Sequence, residues 1–214
     1  MKKEQVIDLI DHFGTFASEF PNADLADFGL WLYHQRPANH PDTSELSSLS
    51  LELKLGRLLW RFNRFTRFYT RKSFADLSIT TIDEFTMLFK VAQLGSASKN
   101  EIYNAMIYDT PTGAQMLKRL LEIGLFSEEP DENDRRVKRV RLTEKGNQLY
   151  QDAFERLGPE LLLKFGNMTL AEKELLLDIF TRLDAFHTEV YFNDSDLSIP
   201  ELVQKKLHPK PSPD

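Results

Sequence analysis

The chain has 214 residues, enough for one sizeable core or two small ones, and 41% of them are hydrophobic, an ordinary share for a soluble globular protein. No run of eighteen apolar residues offers a transmembrane helix, so no membrane partner is expected. The absence of cysteine excludes disulfides, thiolate nucleophiles, thiol redox sensing and sulfur-bound zinc, and a formal charge of -6 is not that of a generally basic nucleic-acid binder.

The N-terminal Met1-Lys2-Lys3-Glu4-Gln5 leads into no apolar stretch of the secretory kind, which predicts a cytoplasmic protein. Val6, Ile7, Ile10, Phe13 and Phe20 recur at helical spacing and predict a first helix over 4–20, ended by Pro21. Asn22 or Asp24 caps a second near 24–35, which carries Phe28, Leu30, Trp31 and Tyr33. Residues 37–48, rich in Pro, Asn, Asp and Ser, read as a linker.

A long amphipathic helix follows from about 49 to 74. Leu51, Leu55, Leu58, Leu59, Phe62, Phe65 and Tyr69 form its apolar stripe. Arg57, Arg61, Arg64 and Arg71 share another face, either a solvated basic surface or a seat for an acidic partner. Three shorter helices come next. Thr81 precedes Glu84 by three residues, a capping box, and that helix runs to Leu94 before Gly95. Ser98 and Glu101 form a second box, opening a helix through about Met106. Thr110 or Asp109 caps a third, with Pro111 in its first turn, Gly124 at its end and Leu117, Leu120 and Leu121 as its buried stripe. Two short helices joined by a tight turn are the helix-turn-helix arrangement.

After Gly124 the period changes. Leu125 and Phe126 begin a short strand, residues 129–134 form an acidic turn, and 137–142 alternate as a second strand. Two strands around a polar tip make a wing. Thr143 caps a helix over 144–165, with a kink expected at Gly158-Pro159. The capping box at Thr169 and Glu172 opens another, to about Tyr191. In it Leu176, Ile179, Leu183, Phe186 and Val190 step by 3, 4, 3 and 4, a narrow seam for a second helix. Packing within one chain accounts for this seam as well as dimerisation does. Its place near the chain end, with little sequence left to cover it, favours the dimer. The tail from 193 is polar and Pro-rich, with a short frayed helix expected near 199–207.

Chemistry is sparse. There is no GxGxxG, Walker A or HExxH pattern, and no two of the five histidines are spaced to share a metal on a helix, so neither an enzyme nor a cofactor or metal site is expected. The stronger signal is local charge. From Arg135 to Lys145 there are six basic residues against one acid. Clustered Lys and Arg bind DNA phosphates by releasing condensed counterions, and a slim hairpin reaches the minor groove, where Arg is attracted electrostatically. The neighbouring helix offers Thr110, Thr112, Gly113, Gln115, Lys118 and Arg119 as exposed positions. Gln suits adenine, Arg suits guanine, the Thr methyl suits thymine, and Gly113 allows close backbone approach. Together with Arg135, Arg136 and Lys138 of the wing, these are the candidate contacts to double-stranded DNA. Phe62, Phe65, Phe85 and Phe89, with Arg57 and Arg61, are candidates to line a pocket for an aromatic or anionic effector, although core packing is the favoured reading for the phenylalanines.

The segments Leu117-Lys118-Arg119-Leu120-Leu121-Glu122-Ile123-Gly124-Leu125-Phe126, Pro130 to Arg136, and Val140-Arg141-Leu142-Thr143-Glu144-Lys145-Gly146 resemble the MarR family of winged-helix regulators. The family pattern is a helix ending in Leu-x-x-x-Gly-Leu, a wing with Asp-x-Arg, and a strand running into Leu-Thr-x-x-Gly. The resemblance covers roughly 49–191. It implies a homodimer, a recognition helix in the major groove, Arg136 in the minor groove, and Asp134 holding the wing through ion pairing. It also implies a repressor released by a small aromatic or anionic ligand. Two features depart from the pattern: Glu128-Glu129 is acidic at the base of the wing, and the first 45 residues lie outside the common core.

The expected fold is mainly α with a small antiparallel β wing, a winged helix-turn-helix plus long dimerisation helices. Residues 1–47 form an N-terminal helical extension and linker, 48–78 and 144–192 a helical dimerisation region, 79–143 the DNA-binding domain and 193–214 a tail. The expected function is sequence-specific DNA binding by a homodimeric transcriptional regulator. The alternative is a winged-helix module for protein interaction.

Overall fold

The computed structural model describes residues 2–35, 48–132 and 134–208; the predicted linker over 37–48 lies almost wholly outside them. The chain forms two units, residues 1–57 and 58–214. In the first, α1 (Lys3–Glu19) and α2 (Leu25–His34) pack on one another. Asp24 caps α2 by accepting from the backbone of Ala26 and Asp27. The two helices meet through an aromatic cluster in which Phe28 lies against Phe13 and Phe16, their ring centres 5.1 and 5.3 Å apart, and Phe16 against Trp31 at 5.7 Å.

Helix α3 (Leu51–Ser73) precedes α4 (Ile82–Leu94), α5 (Lys99–Ala105) and α6 (Thr110–Glu122). The predicted capping boxes form: Thr81 accepts from Glu84 N and Ser98 from Glu101 N, while each glutamate accepts from the capping residue's own N–H. Gly95 and Gly124 close α4 and follow α6 at φ 68° and 75°, the left-handed region where a Cβ is strained. The core of this unit collects the inner faces of these helices, with Ile79, Met87, Leu88, Val91, Ile102, Leu117 and Leu120 fully buried.

Three strands make one antiparallel sheet, β1 (Ala97–Ser98), β2 (Phe126–Pro130) and β3 (Lys138–Leu142), in the order β1-β3-β2. Phe126 pairs with Leu142 and Val140 lies between Ala97 and Glu128. The wing strand β2 runs to Pro130, further into the acidic stretch than its sequence implies, because every residue of 126–130 finds a partner on β3. Helix α7 (Glu144–Phe165) runs unbroken through Gly158-Pro159, and α8 (Leu170–Asp194) follows.

The tail differs from expectation. Helix α9 (Ile199–Leu207) is tied rather than frayed: Lys205 and Lys206 both reach the buried Asp194, and Lys206 also reaches Glu189. The ammonium groups hold the Asp194 carboxyl below its ordinary range. Among the described residues no helix is long and apolar enough to cross a membrane.

Candidate nucleic-acid interface

Helix α6 presents one polar face. Leu117 and Leu120 anchor it in the core, while Thr110, Thr112, Gln115 and Lys118 are exposed. Lys118 sits 3.8 Å from Glu122, one turn on. Two of the predicted contact residues have other surroundings. Gly113 is buried, not exposed: a Cβ there would lie 2.6 Å from Tyr103 Cδ1, so the glycine lets α5 and α6 pack closely rather than opening the backbone outward. Arg119 is turned back on the protein. Its guanidinium pairs with the buried Glu84 and donates to the Ser78 carbonyl at 2.9 Å. Glu84 meanwhile accepts from the backbone of Thr80 and Thr81, at 2.7 and 3.2 Å. One carboxylate thus caps α4 and fixes α6 against it.

The wing is less cationic than its composition. Glu128 pairs with Lys99 at 2.7 Å and accepts from Lys138 at 3.0 Å, and these two ammonium groups, Lys99 first, draw its pKa below the usual range. Glu129 pairs with Arg141. Arg139 donates to the Ser96 carbonyl at 2.7 Å and lies 3.4 Å from Glu101 and 3.6 Å from Asp131. Lys145 donates to the Ile123 carbonyl at 2.6 Å. Of the six cations over 135–145, Arg135 and Arg136 at the tip are the two for which no side-chain partner occurs among the described residues, and both are exposed. Asp134 holds the tip by hydrogen bonds to backbone, not by the expected ion pair. Its carboxylate accepts from Arg136 N at 3.0 Å, its carbonyl accepts from Val137 N at 2.9 Å, and its own N–H donates to Asp131 at 3.2 Å. This is an Asx turn, which presents Arg136 at a fixed position.

The base of the wing joins α7 through the Leu-Thr-x-x-Gly segment. The Thr143 hydroxyl donates to the Gly124 carbonyl at 2.7 Å and accepts from Gly146 N at 3.0 Å. A Cβ on Gly146 would lie 2.0 Å from the Leu125 carbonyl oxygen, so only glycine fits.

Residues 81–146 match the family described as winged helix DNA-binding domain. Among solved structures, a variant of MarR from E. coli in complex with operator DNA matches with a TM-score of 0.58 at 23% identity, covering 63% of this chain and 99% of that one. The chain is a winged-helix protein with the MarR fold. BpsR from Bordetella bronchiseptica, studied for regulation of its DNA binding by 6-hydroxynicotinic acid, matches this fold with a TM-score of 0.59 at 21% identity, covering 64% and 98%. The transcriptional regulator SlyA gives 0.59 at 22%, covering 64% and 96%. Comparison with curated proteins yields no match. These MarR-fold relatives are covered almost end to end, while over a third of this chain has no counterpart in them.

Two further features of this winged-helix unit bear on the site. The first is a link from α8 to the segment that leads into α6. Tyr191 donates to the Tyr108 carbonyl at 3.3 Å, two residues before α6 begins. Burial, and then a hydrogen bond with Asp83, push the Tyr108 hydroxyl above its ordinary pKa. Sequence spacing gave no sign of this contact, which joins residues 83 apart. The second is the effector site. Phe85 is a core residue, stacked on Tyr150 at 5.8 Å, with Phe89 beside both rings, whereas Phe62 lies against Phe165. Arg61 lies over its own neighbour Phe65, 5.4 Å from the ring centre. The predicted aromatic set is therefore divided between a core cluster and exposed positions on α3. A cleft of about 590 Å³ does form, but Arg67 and Arg71 line it together with Asp83, beside Asn63, Thr66, Thr80, Thr81 and Ile82. Among the described residues no cluster of three His, Asp or Glu side chains is placed to hold a metal ion.

Along the α8 seam, Leu183 and Phe186 are exposed and Leu176, Ile179 and Val190 half-buried. Leu175, Leu177 and Phe180 on the same helix are also exposed. Among the described residues none covers the exposed members of this surface, Leu175, Leu177, Phe180, Leu183 and Phe186.

Proposed function

We propose that this protein is a homodimeric regulator of transcription that binds double-stranded DNA, with α6 in the major groove and the wing tip in the adjacent minor groove. One observation carries the reading: the polar face of α6 stands in the same domain as a wing whose two cations without a side-chain partner among the described residues, Arg135 and Arg136, are gathered at its tip. Thr110, Thr112, Gln115 and Lys118 are the base-reading candidates, and Arg135 and Arg136 the minor-groove and phosphate contacts. Lys138 contributes only if DNA phosphate displaces Glu128 from it. Arg119 acts by holding α6 on α4.

The exposed Leu183 and Phe186 of the seam, with Leu175, Leu177 and Phe180 on the same helix, support the dimer, since exposed apolar surface favours association. In such a dimer two recognition helices enter successive major grooves roughly 34 Å apart. Action as a repressor and release by a small aromatic acid rest on the shared fold with MarR and BpsR. The cleft lined by Arg67 and Arg71, with Asp83 on its wall, is the candidate seat for the carboxylate. The neutralised base of the wing favours a second reading, a protein-interaction module, because pairing with Glu128 and Glu129 weakens the field felt by phosphate. Fluorescence anisotropy of a labelled mixed-sequence duplex in low salt separates the two. Salt-sensitive binding supports the regulator; no binding at micromolar protein supports the module.

A further inference from the structure

Helix α6 begins differently from its neighbours. Thr81, Ser98, Thr143 and Thr169 each cap a helix with a side-chain oxygen, whereas the Asp109 side chain accepts from no α6 N–H among the described residues. The turn before it is strained. Helix α5 closes with Ile107 N–H donating to the Asn104 carbonyl at 3.3 Å and Tyr108 N–H to the Tyr103 carbonyl at 3.1 Å, a Schellman motif. Its left-handed position, at φ 54°, is held by Ile107, where glycine is usual and a β-branched side chain rarely fits. Tyr108 is fastened on two sides of this turn. Its hydroxyl donates to Asp83 at the start of α4, and its carbonyl accepts from Tyr191 on α8 at 3.3 Å.

The part of α8 that carries Tyr191 is itself braced. Glu189 and Asp194 flank Tyr191 near the C-terminal end of the helix, where carboxylates oppose the helix dipole. Helix α9 supplies the cations. Lys206 reaches Glu189 at 2.6 Å and Asp194 at 3.0 Å, and Lys205 also reaches Asp194, which is 2% exposed.

We propose that Tyr191 is a positioning residue for α6, holding the strained turn over 106–109 so that the helix meets DNA in one orientation, and that α9 is the brace that keeps Tyr191 in place. This rests on the DNA-binding reading and gives the tail a part in it. A bond to a main-chain carbonyl suits the task, because it fixes the backbone two residues before α6 and occupies none of the side chains offered to the groove.

Tyr191→Phe removes the hydroxyl and keeps the ring. Hydrogen exchange of the full-length protein, followed by mass spectrometry, reads the turn without DNA. Protection over 106–113 is expected to fall about fivefold, the loss of one hydrogen bond, while 126–142 is unchanged and Tm shifts by no more than about 2 °C. A duplex enriched from a random pool by the unaltered protein binds the variant about three- to fivefold more weakly, with the same salt slope, because no phosphate contact is lost. Ile107→Gly in the same chain relieves the turn and restores both readouts to within about twofold, a rescue that loss of packing at Tyr191 would not show. Lys205→Ala with Lys206→Ala lowers protection over 106–113 as well as over 199–208.

Unchanged protection over 106–113 in Tyr191→Phe, or no rescue by Ile107→Gly, overturns the proposal. A change confined to 199–208 in the lysine variant overturns the part given to α9. Lowered and rescued protection with unchanged duplex affinity overturns the link to DNA recognition. If the unaltered protein enriches no duplex, the DNA-binding reading fails, and the exchange measurements alone decide whether Tyr191 holds the turn.

Discussion

Replacing Arg136 by alanine separates the wing's part in binding from its part in folding. Arg136 is exposed and its side chain has no partner among the described residues, so its loss leaves no buried charge behind. Its backbone N–H, which Asp134 holds, is retained in alanine. Stability changes within about 0.5 kcal/mol are therefore expected. Binding is another matter. Each wing loses a cation, so a dimer loses two, and the slope of log K against log salt falls by about 2 in magnitude. The affinity loss is about 1–3 kcal/mol per wing, roughly 5- to 150-fold. Arg139→Ala is the control. It removes a guanidinium bound to Ser96 and set among Glu101 and Asp131, so it destabilises the fold and flattens the salt slope far less. Anisotropy titrations on one duplex between 50 and 300 mM salt, paired with thermal unfolding, make the comparison. The same slope for Arg136→Ala as for the unaltered protein would refute the role given to the wing tip.

Four other outcomes follow from the geometry. Arg119→Ala strands the buried Glu84 and costs about 1–2 kcal/mol of stability, discounted because Arg119 is itself partly exposed; unchanged thermal unfolding would show that the pair does not anchor α6. Gly146→Ala forces a methyl into the Leu125 carbonyl and costs about 3 kcal/mol, a fall in Tm of roughly 6–12 °C by calorimetry. The Glu128 pKa is lowered in the fold, so its contribution is fully present above the ordinary value of 4.5 and is lost as pH falls below it. Glu128→Gln flattens the acid limb of a Tm-against-pH curve between pH 5 and 3, and an unaltered limb would contradict the pairing. Leu183→Asp with Phe186→Asp gives a monomer by sedimentation velocity; an intact dimer would place the interface elsewhere.

The helical frame of the winged-helix unit was legible because its signals are local. Thr81 with Glu84, Ser98 with Glu101 and Thr143 each announce a helix start within four residues, and the caps form where the pattern placed them. Strand β1 was not legible, since two residues carry no period and Ala97-Ser98 becomes a strand only by pairing with Val140 and Arg139. The charge count over 135–145 misled for a related reason. It summed along the chain, while the sheet register sets Glu128 and Glu129 diagonally across from Lys138 and Arg141. Gly113 and Arg119 were placed on the exposed face by spacing alone; what turned them inward were Tyr103 and Glu84, partners on other helices. Phe85 and Phe89 stay open to both readings in the sequence, because an aromatic pattern does not distinguish a cavity wall from a filled core; the core packing of Phe85 is the reading the residues favour.

The central claim is that two copies of α6 and the wing read DNA as a symmetric pair. Selection of binding sites from a random duplex pool by the purified full-length protein, with sequencing of the retained fragments, tests it most directly. The account predicts an enriched inverted repeat with half-sites about 10–10.5 base pairs apart, lost in a Gln115→Ala, Lys118→Ala double variant. Retained fragments with no shared sequence, or a single unpaired motif, would contradict it.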